Sequence, residues 1–144
     1  MMIVRKVIEK DIPQLLSLLE QLGYAISSRD LQERIYLIES KIDSAIFVAE
    51  QNDKQILGCL HVIIDSRLAE GTFGEIVSLV VDERERGKKI GRKLVNAALS
   101  WISDKGNSRV RVRCNVKRHD AHQFYTHLGF DEIKSQKIFE MVIG

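Results

Sequence analysis

Residues 79–91 read Leu-Val-Val-Asp-Glu-Arg-Glu-Arg-Gly-Lys-Lys-Ile-Gly, and this stretch decides the fold that we expect. An apolar run typical of a β-strand ends at Val81, a charged turn containing Gly87 follows, and an amphipathic helix begins at about Lys88. A strand that enters a helix through such a turn leaves backbone N–H groups unpaired at the positive end of the helix dipole. The stretch therefore predicts an anion site suited to a phosphate or pyrophosphate, surrounded by the cations of Arg84, Arg86, Lys88, Lys89, Arg92 and Lys93. Taken alone, these residues also fit a solvated, basic helix start.

Length and composition indicate one globular domain. The chain has 144 residues, which is long enough to bury a hydrophobic core. Its net charge of +2 is too small for a general nucleic-acid binder. No apolar run approaches the roughly 20 residues that cross a bilayer. The N-terminus lacks the apolar segment of a signal peptide, so we expect a cytoplasmic protein with no membrane partner. Cys59 and Cys114 lie in strand-like runs, and we interpret both as reduced core residues rather than a disulfide or a metal site.

Hydrophobic spacing predicts four helices and the turns that bound them. The first helix has Pro13 in its first turn and ends at Gly23, and Ser27-x-x-Asp30 resembles a capping box that opens the second. The third helix begins in the stretch quoted above, and the fourth ends at Gly129.

Alternating apolar residues predict the strands. A turn at Asn52-Asp53 joins strands Ala45–Glu50 and Gln55–Ile64, and a loop over Asp65–Phe73 leads to the strand Gly74–Val81. In the fifth strand Val110, Val112 and Cys114 alternate with arginines, so one face is apolar and the other carries the cations of Arg109, Arg111 and Arg113.

The C-terminal residues predict a last hairpin. It is built from Ile133 and the run Ile138–Val142. The whole chain then forms one α/β domain over residues 1–144, with the element order β-α-α-β-β-β-α-β-α-β-β.

Two motifs resemble the GNAT superfamily of acetyl-CoA-dependent N-acetyltransferases. The family signature Q/R-x-x-G-x-G/A is similar to Arg86-Gly87-Lys88-Lys89-Ile90-Gly91, in which Lys89 stands where the first signature glycine is usual. The second motif is Ala121–Phe130, which reads A-H-Q-F-Y-T-H-L-G-F. The resemblance covers nearly the whole chain and implies a mixed, mostly antiparallel central sheet flanked by four helices.

The resemblance also implies a site for acetyl-CoA as co-substrate. By position, the backbone of Leu79, Val80 and Val81 matches the part of the fourth strand that bulges and binds the thioester carbonyl and the pantetheine arm. The phosphates would lie on the turn formed by Arg86, Gly87, Lys88, Lys89, Ile90, Gly91 and Arg92, and Asn115 would bind the pantetheine. Arg118 stands where the family often has another asparagine.

Two side chains are the catalytic candidates. Tyr125 lies in the motif F-Y-x-x-L-G-F, where the family's tyrosine is the usual general acid, although tyrosines there sometimes only pack against the cofactor. Glu75 stands sixteen residues before Gly91, the spacing of the histone-acetyltransferase branch that uses a glutamate base. A solvated strand-edge glutamate, with a water chain as the base, is the alternative.

The sequence therefore predicts an N-acetyltransferase, monomeric or homodimeric, that acetylates a primary amine of a small molecule or a protein by direct transfer in a ternary complex. No metal is expected, because no carboxylate or cysteine completes a ligand set with His119 and His122. The rival interpretations are a non-catalytic acyl-CoA-binding or sensing module and a nucleic-acid-binding domain built on the basic turn. The acceptor stays open, although Asp65 and Glu70 could attract a cationic amine.

Overall fold

The computed structural model describes residues 1–52 and 54–144, so Asp53 of the expected hairpin turn lies outside the described residues. The chain packs as two compact units, Met1–Arg113 and Cys114–Gly144, which we describe separately. Among the described residues, every helix is too short or too polar to cross a bilayer.

The described residues of the first unit form a five-stranded mixed sheet, three α-helices and two short 3-10 helices. In chain order the elements are β1 (Met2–Lys6), α1 (Ile12–Gln21), α2 (Ser28–Glu39), β2 (Ser44–Gln51), β3 (Ile56–Arg67), β4 (Gly71–Val81), α3 (Ile90–Asp104) and β5 (Val110–Val112). The strands lie in the order β1-β2-β3-β4-β5. The first three pairings are antiparallel, and β4 pairs with β5 in parallel. This mixed, mostly antiparallel sheet confirms the expected fold class.

Alternation along β3 separates the two faces of the sheet. A Cβ on Gly58 would lie 2.9 Å from Leu94 of α3, so this glycine lets α3 approach one face closely. Cys59, the next residue, packs instead into a core cluster that includes Leu15 of α1 and Leu31 of α2. Because neighbouring strand residues point to opposite faces, α3 covers one face and α1 with α2 covers part of the other.

The helix boundaries follow the local signals in the sequence. Pro13 occupies the first turn of α1 and Gly23 follows it at φ +103°, a left-handed conformation that glycine adopts without strain. Ser27 Oγ accepts a hydrogen bond from the Asp30 N–H at 3.1 Å and caps α2.

The predicted loop over Asp65–Phe73 is wrong. β3 continues to Arg67 and β4 begins at Gly71, with Asp65 opposite Phe73. Polar residues pair across this hairpin, as in the 2.9 Å hydrogen bond between Ser66 and Thr72 hydroxyls, and Phe73 is fully buried. Cross-strand pairing and burial of one aromatic ring outweigh the polar, turn-like composition on which the loop prediction rested.

The second unit contains helix α4 (His119–His127), which ends as predicted before Gly129 at φ +102°. The predicted final hairpin is not formed, since residues 129–144 contain no strand. The apolar side chains that suggested it are exposed, for example 88% for both Ile138 and Phe139. A two-stranded hairpin alone is only marginally stable in water. The alternating apolar pattern was therefore not sufficient to form the hairpin without a neighbouring strand to pair with.

Candidate active site

Strand β4 bulges and then separates from β5. Its residues Ile76 and Ser78 face the consecutive β3 residues Val62 and His61, so Val77 is an extra residue in the ladder. The pairing with β5 covers only Gly74–Ile76. From Val77 to Val81, the β4 edge facing away from β3 therefore has no strand partner among the described residues, which is the geometry that the resemblance implied for Leu79, Val80 and Val81.

The turn after β4 is fixed by a buried carboxylate. Asp82 accepts hydrogen bonds from the Arg84 backbone N–H at 3.1 Å and from Arg84 Nη2 at 2.9 Å. The side-chain hydrogen bond to Arg84 lowers the pKa of Asp82 against the opposing effect of burial. Arg84, one of the cations expected around the anion site, is thus engaged in holding the turn.

Lys89 occupies the left-handed conformation, at φ 64° and ψ 20°. It is the N-cap residue of α3, and Gly87 two residues earlier also has a positive φ of 86°. Lys89 stands where the first signature glycine is usual in the family, and it adopts a conformation that glycine reaches freely but a residue with a Cβ reaches only under strain.

The first turn of α3 presents free donors and cations. Among the described residues, no side chain caps this helix. Its first backbone hydrogen bond of the usual kind runs from the Lys93 N–H to the Lys89 carbonyl at 3.2 Å, so the N–H groups before Lys93 have no partner within the helix. Lys88 pairs with Glu85 at 2.6 Å. Arg86, Lys89 and Arg92 are exposed and have no carboxylate partner in the part of the chain that the structure describes. Free N–H groups at a positive dipole end, beside these cations, favour a phosphate or pyrophosphate.

Glu75 lies just before the point where β4 leaves β5. It is 6% exposed, and its Oε1 accepts a hydrogen bond from Arg113 Nε at 3.1 Å. It faces Arg111 of β5 and Ile63 of β3 in the sheet register. The solvated strand-edge interpretation does not fit this burial, because a buried carboxylate needs a charged or hydrogen-bonding partner. Arg113 supplies that partner.

A cluster of arginines around Phe73 lies near Glu75. The guanidinium carbons of Arg111, Arg109 and Arg67 are 4.3, 5.2 and 5.9 Å from the centre of the Phe73 ring. The alternating arginines of β5 were visible in the sequence, but Phe73 and Arg67 fell in the predicted loop. The strand extension described above is what brings them together.

In the second unit, Tyr125 is half-buried on α4. Its ring makes edge-on contacts with Phe124 and Phe130, at centroid distances of 5.1 and 5.7 Å. Burial, with a smaller contribution from Cys114, raises the pKa of the Tyr125 hydroxyl above its ordinary value, and Arg118 opposes the change. Such a hydroxyl stays protonated at neutral pH and retains a proton to donate. The role of Tyr125 as general acid stays a prediction.

Asn115 opens the same unit and forms a turn. Its side-chain oxygen accepts from the Lys117 N–H at 2.9 Å, and its carbonyl accepts from the Arg118 N–H at 3.0 Å. The amide NH₂ group of Asn115 is therefore the part of this side chain that a pantetheine could use, and its role stays a prediction.

Two buried groups lie outside these features. His61 Nε2 is buried without a hydrogen-bond partner among the described residues, and burial lowers the pKa of His61 with a smaller contribution from Lys41. Both cysteines are free, and burial raises the pKa of Cys59 to about 12. In the described parts of the chain, no cluster of His, Cys, Asp and Glu is arranged to hold a metal ion.

The chain is similar to known proteins over most of its length. The sequence profile of the Acetyltransferase (GNAT) family matches residues 12–130. An aminoalkylphosphonate N-acetyltransferase of Salmonella typhimurium is 39% identical over 79 residues, which are 54% of this chain and 51% of that protein. An uncharacterized N-acetyltransferase of Methanocaldococcus jannaschii is 32% identical over 92 residues, which are 62% of this chain and 40% of that protein. The matches thus span about half or less of these curated relatives.

A solved structure extends the similarity to the fold as a whole. The crystal structure of glucosamine-6-phosphate N-acetyltransferase from Arabidopsis thaliana superposes with a TM-score of 0.81 at 27% identity, covering 97% of this chain and 99% of that one.

Proposed function

The chain belongs to the GNAT family of acetyltransferases, and from this premise we propose that it transfers the acetyl group of acetyl-CoA to a primary amine of a small molecule or a protein. The bulged β4 edge that continues into the uncapped start of α3 is the observation that carries the proposal.

The two features together fit the shape of acetyl-CoA. The phosphates bind the free N–H groups and the cations of Arg86, Lys89 and Arg92. The pantetheine arm carries amides, and it lies along the open edge of residues 77–81 as an added strand would. Five strand residues offer roughly 17 Å of edge, so the arm reaches from the turn back toward Glu75.

The transfer is a direct attack within a ternary complex. Glu75 takes a proton from the ammonium group, through a water molecule or directly, and the free amine attacks the thioester carbonyl carbon. The C–N bond forms, the C–S bond breaks, and the leaving thiolate takes a proton from the Tyr125 hydroxyl. The nitrogen loses a second proton as the amide forms, and this proton restores the Tyr125 hydroxyl through water. Similar proteins support an amine acceptor, because two of them are named as N-acetyltransferases of an aminoalkylphosphonate and of glucosamine-6-phosphate.

The test combines binding with turnover. Acetyl-CoA is added to the protein, thermal unfolding is followed, and thiol release is measured with a panel of amines. Acetyl-CoA should raise the melting temperature by linkage, desulfo-CoA should do so almost equally, and pantetheine should not. Thiol release that depends on an amine supports the transferase. Binding without thiol release from any amine would favour the acyl-CoA-sensing module instead.

A charge reversal provides the matched variant. Arg92→Glu places a negative charge on the exposed first turn of α3 and should weaken acetyl-CoA binding strongly. Asn96→Glu places the same acidic side chain at an exposed position on the same helix, about one turn later, and changes the net charge by one unit rather than two. It should weaken binding by far less than half as much in free energy, because the dipole and the phosphate contacts act within the first turn. Equal effects of the two variants would remove the phosphate site from the proposal.

A further inference from the structure

Three arginines converge on one buried aromatic ring at the far end of β4 from the anion turn. Phe73 is fully buried, and the guanidinium groups of Arg67, Arg109 and Arg111 lie within 5.9 Å of its ring centre. Arg67 is the last residue of β3. Arg109 directly precedes β5, and Arg111 lies in the middle of β5. The cluster is open to solvent, since Arg109 is exposed and the Arg67 side chain is 42% exposed.

The charges in this cluster do not balance. Arg67 pairs with Asp65 at 2.8 Å, and Arg111 pairs with Glu70. Arg109 donates to the backbone carbonyl of Glu70, and the described chain gives it no carboxylate partner. Arg113 and Glu75 adjoin this cluster as a further ion pair, so four guanidinium groups share the three carboxylates of Asp65, Glu70 and Glu75. The mutual repulsion of the cations is relieved by an additional anion, and a guanidinium matches phosphate or phosphonate oxygens in two parallel hydrogen bonds.

The position of the cluster relates it to the acceptor rather than to the cofactor. Phe73 lies eight residues before Val81, which is roughly 26 Å along a strand, so the same phosphate cannot contact both the cluster and the anion turn. Phe73 and Glu75 are two residues apart on one face of β4, or about 7 Å. Arg111 also faces Glu75 in the sheet register.

We infer that Arg109, with Arg67 and Arg111 around Phe73, binds a phosphonate or phosphate group of the amine acceptor, while the amine of the same molecule reaches Glu75, two residues further along β4. The inference rests on the proposed function for the position of the amine. It replaces the earlier expectation that Asp65 and Glu70 attract a cationic acceptor, because both carboxylates are engaged by arginines.

The experiment compares two amines with the same aminopropyl chain. The first is 3-aminopropylphosphonate, and the second is its diethyl ester, which has no negative charge on phosphorus but carries two added ethyl groups. The comparison between protein variants, rather than between the amines alone, therefore decides the outcome. Acetylation kinetics and direct calorimetric binding are measured for the wild type, Arg109→Gln and a control, Arg34→Gln, which removes an exposed arginine from α2. Loss of one charged hydrogen-bonding partner should lower kcat/KM for the phosphonate roughly 10- to 100-fold in Arg109→Gln. The change should appear in KM, and the diester and acetyl-CoA should be unaffected.

The outcomes separate this inference from the proposed function. Acetylation of phosphonate and diester with equal efficiency would overturn the anion subsite and leave the transferase intact. Phosphonate binding to the wild type and Arg34→Gln but not to Arg109→Gln would support the subsite, even where neither amine is acetylated. Absence of phosphonate binding would refute the subsite, and absence of thiol release with every amine of the panel above would refute the transferase. If Arg109→Gln is poorly folded by its melting temperature, Arg67→Gln on β3 tests the same prediction.

Discussion

Relief of the backbone strain at Lys89 should stabilise the protein. Lys89 has φ 64° and ψ 20°, a conformation that costs an L-residue with a Cβ about 1–2 kcal/mol. Glycine avoids this cost, but it also stabilises the unfolded chain by roughly 0.5–1 kcal/mol, because the unfolded chain gains conformational entropy. The net expectation for Lys89→Gly is a gain of about 0.5–1 kcal/mol, or roughly 2–4 °C in melting temperature for a domain of this size.

Lys89→Ala is the matched control for this prediction. Both variants remove the same charge from the anion turn, and only glycine removes the Cβ. Urea unfolding and thermal unfolding should therefore give Lys89→Gly a free energy of unfolding about 0.5–1 kcal/mol higher than that of Lys89→Ala. Both variants should weaken acetyl-CoA binding to a similar degree, because each loses one cation beside the phosphates. Equal unfolding free energies for glycine and alanine would show that the left-handed conformation carries no strain, or that the turn differs from the one described.

Three further predictions concern the titratable groups. Glu75→Gln should lower kcat by roughly 10²–10⁴-fold with little change in acetyl-CoA affinity, and near-normal steady-state turnover would demote Glu75 to a structural partner of Arg113. Tyr125→Phe keeps the ring contacts, so folding should survive while turnover falls about 10²-fold or more. A loss of turnover only in proportion to cofactor affinity would assign Tyr125 to packing. The lowered pKa of His61 means that the unfolded chain binds more protons, so unfolding free energy should be highest above pH 6.5 and fall as the pH drops below it. His61→Leu should flatten that fall, and parallel stability curves of the two proteins against pH would contradict this.

The features that the sequence predicted well are encoded locally. Pro13, Gly23 and Ser27 each fix a helix boundary through their own backbone or side chain, and the structure confirms all three. The strand, turn and helix over residues 79–91 likewise follow from one apolar run and the charged residues after it. Signals of this kind depend little on what the rest of the chain does.

The features that were missed depend on distant partners. The bulge at Val77 was expected only from the family resemblance, because it arises from the register that β3 and β4 adopt together and no local pattern marks it. The extension of β3 to Arg67 needs its partner Gly71, and the residues that pair there are polar. The opposite error occurred at Ile138–Val142, where a good alternating pattern had no strand to pair with.

The arginines of β5 show how a simple local pattern takes on several roles in the folded sheet. Alternation places Arg109, Arg111 and Arg113 on the cationic face that the sequence predicted, at intervals of roughly 7 Å. The carboxylates supplied by other segments then distinguish them. Arg113 is held by buried Glu75 and Arg111 by Glu70, so each is tied to a fixed partner. Arg109 meets only a carbonyl oxygen and a ring face in the described structure. A guanidinium group without a carboxylate partner can bind an external anion. The alternating arginines therefore have two roles: Arg113 holds the candidate base Glu75, and Arg109 stays available to bind the anionic group of the acceptor.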